Sequence, residues 1–149
     1  MGVASSDHVD EGVIGGFCQL CHGRVNPLKR MKPGDWLIYY SPRTGMKGGD
    51  AVRSFTAIGQ IQDGEPYPFD MGNGFIPLRR DILFSKAHRI PISPLISSLS
   101  FIKNKQSWGL TFRSGFFQIP KSDFDQIAIQ MLKTSADSIP AVQDLQNKE

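Results

Sequence analysis

The sequence has little cysteine and no long apolar run, and each shortage argues against a class of protein. Only two cysteines occur among 149 residues, so the paired Cys/His knuckles of a structural zinc site cannot be built. No stretch approaches the roughly 18 apolar residues that a membrane span needs. The opening residues, MGVASSDHVDEGVIGG, contain no basic segment followed by an apolar run, as an export signal would. We therefore expect a cytoplasmic protein with no membrane partner.

Strings typical of catalysis are also missing. The chain contains no G-x-S-x-G, no Walker string and no G-x-G-x-x-G. Its carboxylates are scattered, and Asp7, Asp35 and Asp125 each suit a capping or turn role. His8 follows Asp7 directly, and adjacent residues on a helix do not face each other. The sequence favours a non-enzymatic binding protein, with a small enzyme acting on a nucleotide or modified base as the alternative.

Residues 18–22, CQLCH, match the string by which c-type haem is attached. Haem attachment takes place outside the cytoplasm, and no residue of the chain is marked as the second axial ligand. We interpret Cys18 and Cys21 as small buried side chains, because free cysteine is among the most buried residue types. A redox pair, a metal site and haem remain as alternatives. We expect no cofactor.

Length and charge indicate one basic domain. A chain of 149 residues fits a single core, and its net charge of +3 with a pI near 9.0 suggests a polyanionic partner. Hydrophobic periodicity is lost after about residue 134. We expect residues 1–134 to form the domain and residues 135–149 to form a disordered tail.

Hydrophobic patterning predicts a mixed α+β architecture. We predict a helix that is N-capped by Ser6 or Asp7 and runs to about Ile14, and a strand at 35–41 that is buried on both faces. A second strand at 54–62 contains Gly59, which suggests a bulge or a close backbone approach. The other predicted elements are a flexible loop at 42–53, a strand at 75–84, a short helix within 91–102, a hairpin at 108–119 and a helix capped by Ser122. Five or six short strands with helices at the start, middle and end predict a curved or barrel-like sheet.

Aromatic and basic residues are interleaved along the chain. Rings stack on bases at about 1 to 3 kcal/mol each, and Arg and Lys hold phosphates, so this mixture suits a single-stranded or flipped-out nucleotide. The rings are Phe17, Trp36, Tyr39, Tyr40, Tyr67, Phe69, Phe75 and Trp108, and the basic residues include Arg24, Lys29, Arg30, Arg79, Arg80, Lys103, Lys105 and Arg113. Alternate aromatics of a short strand are more commonly core residues, which is the competing interpretation.

Several strings occur together in one order: SSDHV, GGFCQLCHG, GDWLIYYSPRT and FRSG. In this combination the chain resembles the EVE domain family from its start to about Met131. The resemblance implies a PUA-like curved β-barrel of five to six strands with flanking short helices and a C-terminal helix. It also implies a relationship to YTH domains, which read N6-methyladenosine in RNA. The expected function is non-catalytic binding of a modified or flipped-out base of RNA or DNA, without haem.

The resemblance also implies a set of ligand-binding residues. Phe17 and one of Trp36, Tyr39 or Tyr40 would stack on the base. Ser5 and Gln19 would hydrogen-bond its edge, and Arg113 would hold a phosphate. The full set is Ser5, Phe17, Gln19, Trp36, Tyr39, Tyr40, Ser41, Trp108 and Arg113. Family members usually begin with an aromatic strand before the VAS string, so we expect the first strand to be clipped here.

Overall fold

The computed structural model describes residues 1–20 and 25–133 of the chain. Its strands are β1 (Gly2–Val3), β2 (Phe17–Cys18), β3 (Trp36–Gly45), β4 (Gly48–Ile61), β5 (Tyr67–Pro68), β6 (Leu78–Phe84) and β7 (Ile90–Pro91). Its helices are α1 (Ser6–Gly15), α2 (Val25–Arg30) and α3 (Lys121–Leu132), with 3₁₀-helices at Ser93–Leu95 and Trp108–Ser114. The predicted tail at 135–149 and Cys21 lie outside the described residues. None of the helices within the described residues is both long and apolar enough to cross a bilayer.

The seven strands form one mixed sheet, which confirms the predicted α+β class. The strands are ordered β1-β3-β4-β6-β2, with β5 added to β6 and β7 added to β4. β1 runs parallel to β3, and the other pairings are antiparallel. The sheet has seven strands rather than five or six. Among the pairings of the described residues, none joins β1 to β2, so the sheet is open at this point.

β3 is buried on both faces, as predicted. Ile38 and Tyr40 pack into one hydrophobic cluster, while Leu37 and Tyr39 pack into a second cluster on the other face. Successive side chains of a strand point to opposite faces, so each neighbouring pair is divided between the two clusters. This central strand therefore supports both halves of the core, and its side chains are fixed by packing from both sides.

The first helix ends at Gly15 and is followed by Gly16, as this pair of glycines predicted. Gly16 is left-handed, with φ of 72°, and its N–H donates to the carbonyl oxygen of Gly12 at 2.8 Å. At the other end the N-cap residue is Ser5, one residue before Ser6, the earlier of the two predicted N-caps. The side chain of Ser5 makes no capping hydrogen bond.

The prediction of a flexible loop at 42–53 was wrong. β3 continues to Gly45 and β4 begins at Gly48, with Arg43 opposite Ala51 in the ladder. The glycine-rich composition predicted a loop. The glycines lie instead in an irregular hairpin, in which Gly49 has a φ of 90°. Shifts in register between the two strands bend this part of the hairpin.

Three predictions for the last third of the chain were inaccurate. Residues 108–114 form a 3₁₀-helix rather than a hairpin strand, because Phe112 packs into the core against Tyr40 with ring centroids 4.0 Å apart. In the segment 91–102, the described helix is limited to the 3₁₀ turn Ser93–Leu95. α3 was correctly predicted, but its N-cap is Pro120 rather than Ser122.

Candidate functional site

Two cavities in the described part of the molecule are lined by predicted site residues. The larger, of about 930 Å³, lies where Met1, the end of α2, the start of β3 and the start of α3 meet residues 116–119. The smaller, of about 580 Å³, is enclosed by the segment before α1, the end of the β3–β4 hairpin, the 71–75 loop and the second 3₁₀-helix. The residues that line the smaller cavity are Val3, Ala4, Ser5, His8, Gln19, Pro42, Arg43, Gly45, Met46, Met71, Phe75, Phe112, Arg113, Ser114 and Gly115.

The smaller cavity brings together three of the nine predicted ligand-binding residues. Ser5 lies at the start of α1, Gln19 lies just after β2, and Arg113 lies in the last turn of the second 3₁₀-helix. These positions are far apart in sequence, and the sheet and its connections bring them to one opening. We therefore take the smaller cavity as the candidate site.

Gln19 is the buried polar side chain of this site. Only 6% of its surface is exposed, yet it lines the cavity. Its side-chain oxygen accepts a hydrogen bond from Nε of Arg79 at 3.1 Å, and its amide nitrogen lies 3.9 Å from Sδ of Met71. Burying a polar group without hydrogen-bond partners costs free energy, so these two contacts favour the observed position of the Gln19 amide.

Arg79 is itself held between two rings. Its guanidinium carbon lies 3.7 Å from the ring centroid of Phe17 and 3.7 Å from that of Phe69. Planar guanidinium groups are attracted to aromatic faces, and this one is 7% exposed. Phe17 thus contacts Arg79, and it is not among the residues that line the smaller cavity.

His8 also contacts the backbone of Gln19. Its Nε2 lies 3.1 Å from the carbonyl oxygen of Gln19. Because a carbonyl can only accept, Nε2 carries the proton in this contact, which leaves Nδ1 as the acceptor of the neutral ring. Tyr39 approaches the same carbonyl at 3.4 Å from the core side. The loop at Gln19 is therefore held from both α1 and β3.

The rim of the smaller cavity is both apolar and basic. Met46 is 72% exposed, Met71 42% and Phe75 45%, so these side chains offer uncovered apolar surface. Arg43 and Arg113 lie on the same rim. Flexible thioethers and a phenyl ring can cover the face of a flat ligand, while guanidinium groups can pair with phosphate oxygens.

The other predicted site residues lie elsewhere. Trp36 lines the larger cavity, 44% exposed, with its ring centroid 5.9 Å from that of Phe124. Tyr40 is buried against Phe112, and Trp108 meets Tyr40 edge-on with centroids 6.3 Å apart. Like Tyr40 and Trp108, the remaining three predicted residues line neither cavity: Phe17, Tyr39 and Ser41. The hydroxyl of Ser41 shares a hydrogen bond of 2.8 Å with the hydroxyl of Thr56.

Sequence reasoning did not assign several residues of the smaller cavity to a site. Arg43 and Met46 belonged to the segment interpreted as a flexible loop, and Met71 to a segment read as turns. Phe75 belonged only to the set of aromatic residues. Arg79, which contacts Gln19 behind the cavity wall, belonged only to the set of basic residues. The spacing of these residues along the chain carries no signal of their proximity. Apolar residues inside turn-rich segments were the one available hint.

Cys18 is a buried thiol, as predicted. Its side chain is fully buried, and burial raises the pKa of the thiol to about 12, because the thiolate is disfavoured away from water. Thiolates are the reactive form of cysteine, so this position is poorly suited to redox chemistry. In the described ranges, no three His, Cys, Asp or Glu residues are grouped in a way that could hold a metal ion.

Comparison with known proteins identifies close relatives. A sequence model of the EVE domain matches residues 2–130. The "UPF0310 protein in gntR 5'region" of Bacillus licheniformis is 51% identical over 129 residues, which cover 87% of this chain and 88% of the relative. UPF0310 protein YdcG of Bacillus subtilis is 48% identical over 131 residues, covering 88% of this chain and 90% of the relative. A UPF0310 protein of Mycolicibacterium gilvum is 45% identical, with coverage of 85% and 90%.

Proposed function

The chain belongs to the EVE domain family, and on this premise we propose that residues 1–134 form a cytoplasmic, non-catalytic module that binds a modified or flipped-out base of RNA or DNA. EVE domains are PUA-like and generally bind nucleic acid, and they are typically not enzymes. The base would enter the smaller cavity, and the neighbouring phosphates would lie on its rim.

A buried amide inside an apolar, basic-rimmed cavity carries this proposal. Ligand sites are mostly apolar clefts with a few placed polar groups, and the cavity volume of about 580 Å³ lies within their usual range of roughly 300 to 1,000 Å³. Gln19 supplies the placed polar group, and Met71 and Phe75 supply the apolar surface. Arg43 and Arg113 supply the charge that a phosphate backbone requires.

The direct test is a titration with short single strands. Nine-nucleotide DNA and RNA strands would carry one central base, either N6-methyladenine, 5-methylcytosine or the unmodified counterpart. We expect at least one modified strand to bind about tenfold or more tightly than its unmodified twin, measured by fluorescence anisotropy. Equal affinity across every pair would remove the proposal that the cavity accepts a modified base.

A rim substitution tests the phosphate contacts separately. We expect Arg113→Gln to weaken binding of all strands by a similar factor and to lower the slope of log affinity against log salt by about one unit or less. Arg89 is the matched control, because it lines neither cavity and pairs with Asp10 on α1. R89Q should leave the slope unchanged. An equal change in both variants would mean that the rim has no specific role.

The alternative function is turnover of a nucleotide or base. Incubating the protein with each modified nucleoside and strand, followed by chromatography, detects any product. A product whose formation depends on His8 would favour an enzyme over a binding module.

A further inference from the structure

We infer that Arg79 is a positioning residue that fixes the orientation of the Gln19 amide, so that the cavity offers hydrogen-bond donors at this point and selects a base edge that presents an acceptor. This inference rests on the proposed function and adds the chemistry by which the base would be recognised. Neither Arg79 nor its position on β6 was expected from the sequence to take part in the site.

The guanidinium of Arg79 determines which end of the Gln19 amide faces it. A guanidinium group has only donors, so the amide oxygen of Gln19 must be the atom that meets Nε of Arg79 at 3.1 Å. The reversed amide would set two donors against each other in a buried place. The amide NH₂ is therefore directed to the other side, where Met71, a residue of the cavity wall, lies 3.9 Å away.

Arg79 is held in place by two aromatic rings. Its guanidinium carbon is 3.7 Å from each of two ring centroids, those of Phe17 and Phe69. Among the ion pairs of the described residues, none includes Arg79, and the Glu11 carboxylate that attracts it electrostatically forms no ion pair with it. The plane of the guanidinium is clamped between the rings, and this directs its Nε–H at one fixed point.

The amide NH₂ of Gln19 can recognise a hydrogen-bond acceptor of the base. A thioether sulfur is a weak acceptor, so the contact with Met71 leaves the NH₂ group available to a stronger one. An unprotonated ring nitrogen or a carbonyl oxygen of a base satisfies it, whereas an amino group or a protonated ring nitrogen placed there faces another donor. Mismatched polar groups in a buried site are rejected far more strongly than small differences in size.

Matched base analogues test this recognition. The probes are nine-nucleotide DNA strands with a central N6-methyladenine or 5-methylcytosine, and the same strands with the 1-deaza or 3-deaza analogue, in which C–H replaces the ring nitrogen acceptor. Analogues with a free amino group at the carbonyl position of the pyrimidine complete the set. We expect the favoured base to lose about tenfold or more in affinity when its acceptor is removed or replaced by a donor.

Substitutions separate Gln19 from Arg79. Gln19→Leu should abolish the discrimination between each base and its analogue, and Arg79→Met should reduce it by freeing the amide to rotate. In the Q19L background, R79M should change the discrimination no further, because Arg79 acts through Gln19. Discrimination that survives in Q19L, or an equal effect of R79M with and without Gln19, would overturn the inference.

An NMR measurement tests the contact between Arg79 and Gln19 without any ligand and without the R79M variant. If R79M does not fold, as its melting curve would show, Arg79→Lys and the wild-type NMR spectrum take its place. We expect the Nε–H proton of Arg79 to give a ring-shifted, slowly exchanging signal that moves in Q19L. An exposed, rapidly exchanging Nε–H in the wild type would show that the amide is not held. If wild type distinguishes no modified strand from its twin, the proposed function fails, while this signal still decides whether Arg79 orients Gln19.

Discussion

The buried carboxylate of Asp123 joins α3 to the segment that contains Ser100 and Phe101. Asp123 is 1% exposed, and it accepts hydrogen bonds from the backbone N–H groups of Ser100 and Phe101 and from the hydroxyl of Ser100, at 2.7 to 3.0 Å. Burial raises its pKa, but these hydrogen bonds outweigh burial and hold the pKa of the carboxyl below its ordinary value. The helix is thus fixed by a charge-assisted contact rather than by an N-terminal cap.

We expect Asp123→Asn to lower the free energy of unfolding by about 2 kcal/mol at pH 7, because an amide nitrogen would then face backbone donors in a buried place. Chemical denaturation measures the change. Asp125 is the control, since its carboxylate is 44% exposed and pairs with Lys121 at 2.8 Å. D125N should change stability by no more than about 0.5 kcal/mol. Equal effects of the two substitutions would contradict the role of Asp123.

The same carboxylate gives a pH dependence. Its pKa is lower in the folded state than the unfolded value of about 3.9, so the folded protein binds fewer protons near that pH. The contribution of Asp123 is fully present above about pH 4 and is lost as the pH falls through the folded pKa. The stability difference between wild type and D123N should therefore shrink below about pH 4 in denaturation curves. A difference that stays constant down to pH 2 would exclude this origin.

At the scale of elements, β4 and β6 approach closely at Gly59, as the isolated glycine in a strand predicted. A Cβ built there would lie 2.8 Å from the carbonyl oxygen of Leu83 and 2.9 Å from Cγ1 of Ile82. Gly59 is paired with Phe84 in the β4–β6 ladder. Because the obstructing carbonyl belongs to a strand within the sheet, the contact cannot be relieved by a side-chain rotation.

We expect Gly59→Ala to destabilise the protein by about 1 to 3 kcal/mol, the usual cost of forcing extra volume into a packed place. Gly109 provides the comparison, because a Cβ built at that position meets nothing within 4 Å. G109A should change stability by about 0.5 kcal/mol or less. Thermal unfolding of both variants measures the difference, and a neutral G59A would show that β4 and β6 can separate without cost.

At the scale of the whole molecule, each of the two cavities contains one half-exposed aromatic ring. Trp36 lies in the larger cavity and Phe75 in the smaller, and both are about half exposed. The sheet holds most of the remaining rings in its two hydrophobic clusters. Within the described residues, each of these two cavities therefore has an uncovered ring that could meet a ligand.

If the smaller cavity is the binding site, Phe75→Ala should weaken binding of a preferred single strand by roughly 5- to 150-fold, the usual loss for one base-stacking ring. Trp36→Ala should leave the affinity within about twofold. Anisotropy titrations measure both variants, with melting curves to confirm that each is folded. A larger loss for W36A than for F75A would move the site to the larger cavity.

Local elements with one dominant signal could be predicted from the sequence. Three such signals depend only on residues that are close together in the chain. They are the continuous apolar run of β3, the glycines that end α1, and the helical stripe of α3 that contains Ile127, Ala128 and Met131. Residues 42–53 and 108–114 were misassigned, because long-range pairing and the burial of Phe112 outweighed local composition.

Ordered strings along the chain are enough to assign the family, and with it the α+β class, because no contact between distant residues is needed to recognise them. The tertiary structure alone sets which residues share a cavity, because folding brings together residues that are far apart in sequence, such as Ser5, Gln19 and Arg113. It also decided that Tyr39 and Tyr40 belong to the core and that Arg79 holds Gln19. Alternation along a strand divides residues between two faces, but what covers each face depends on chain segments far away in sequence.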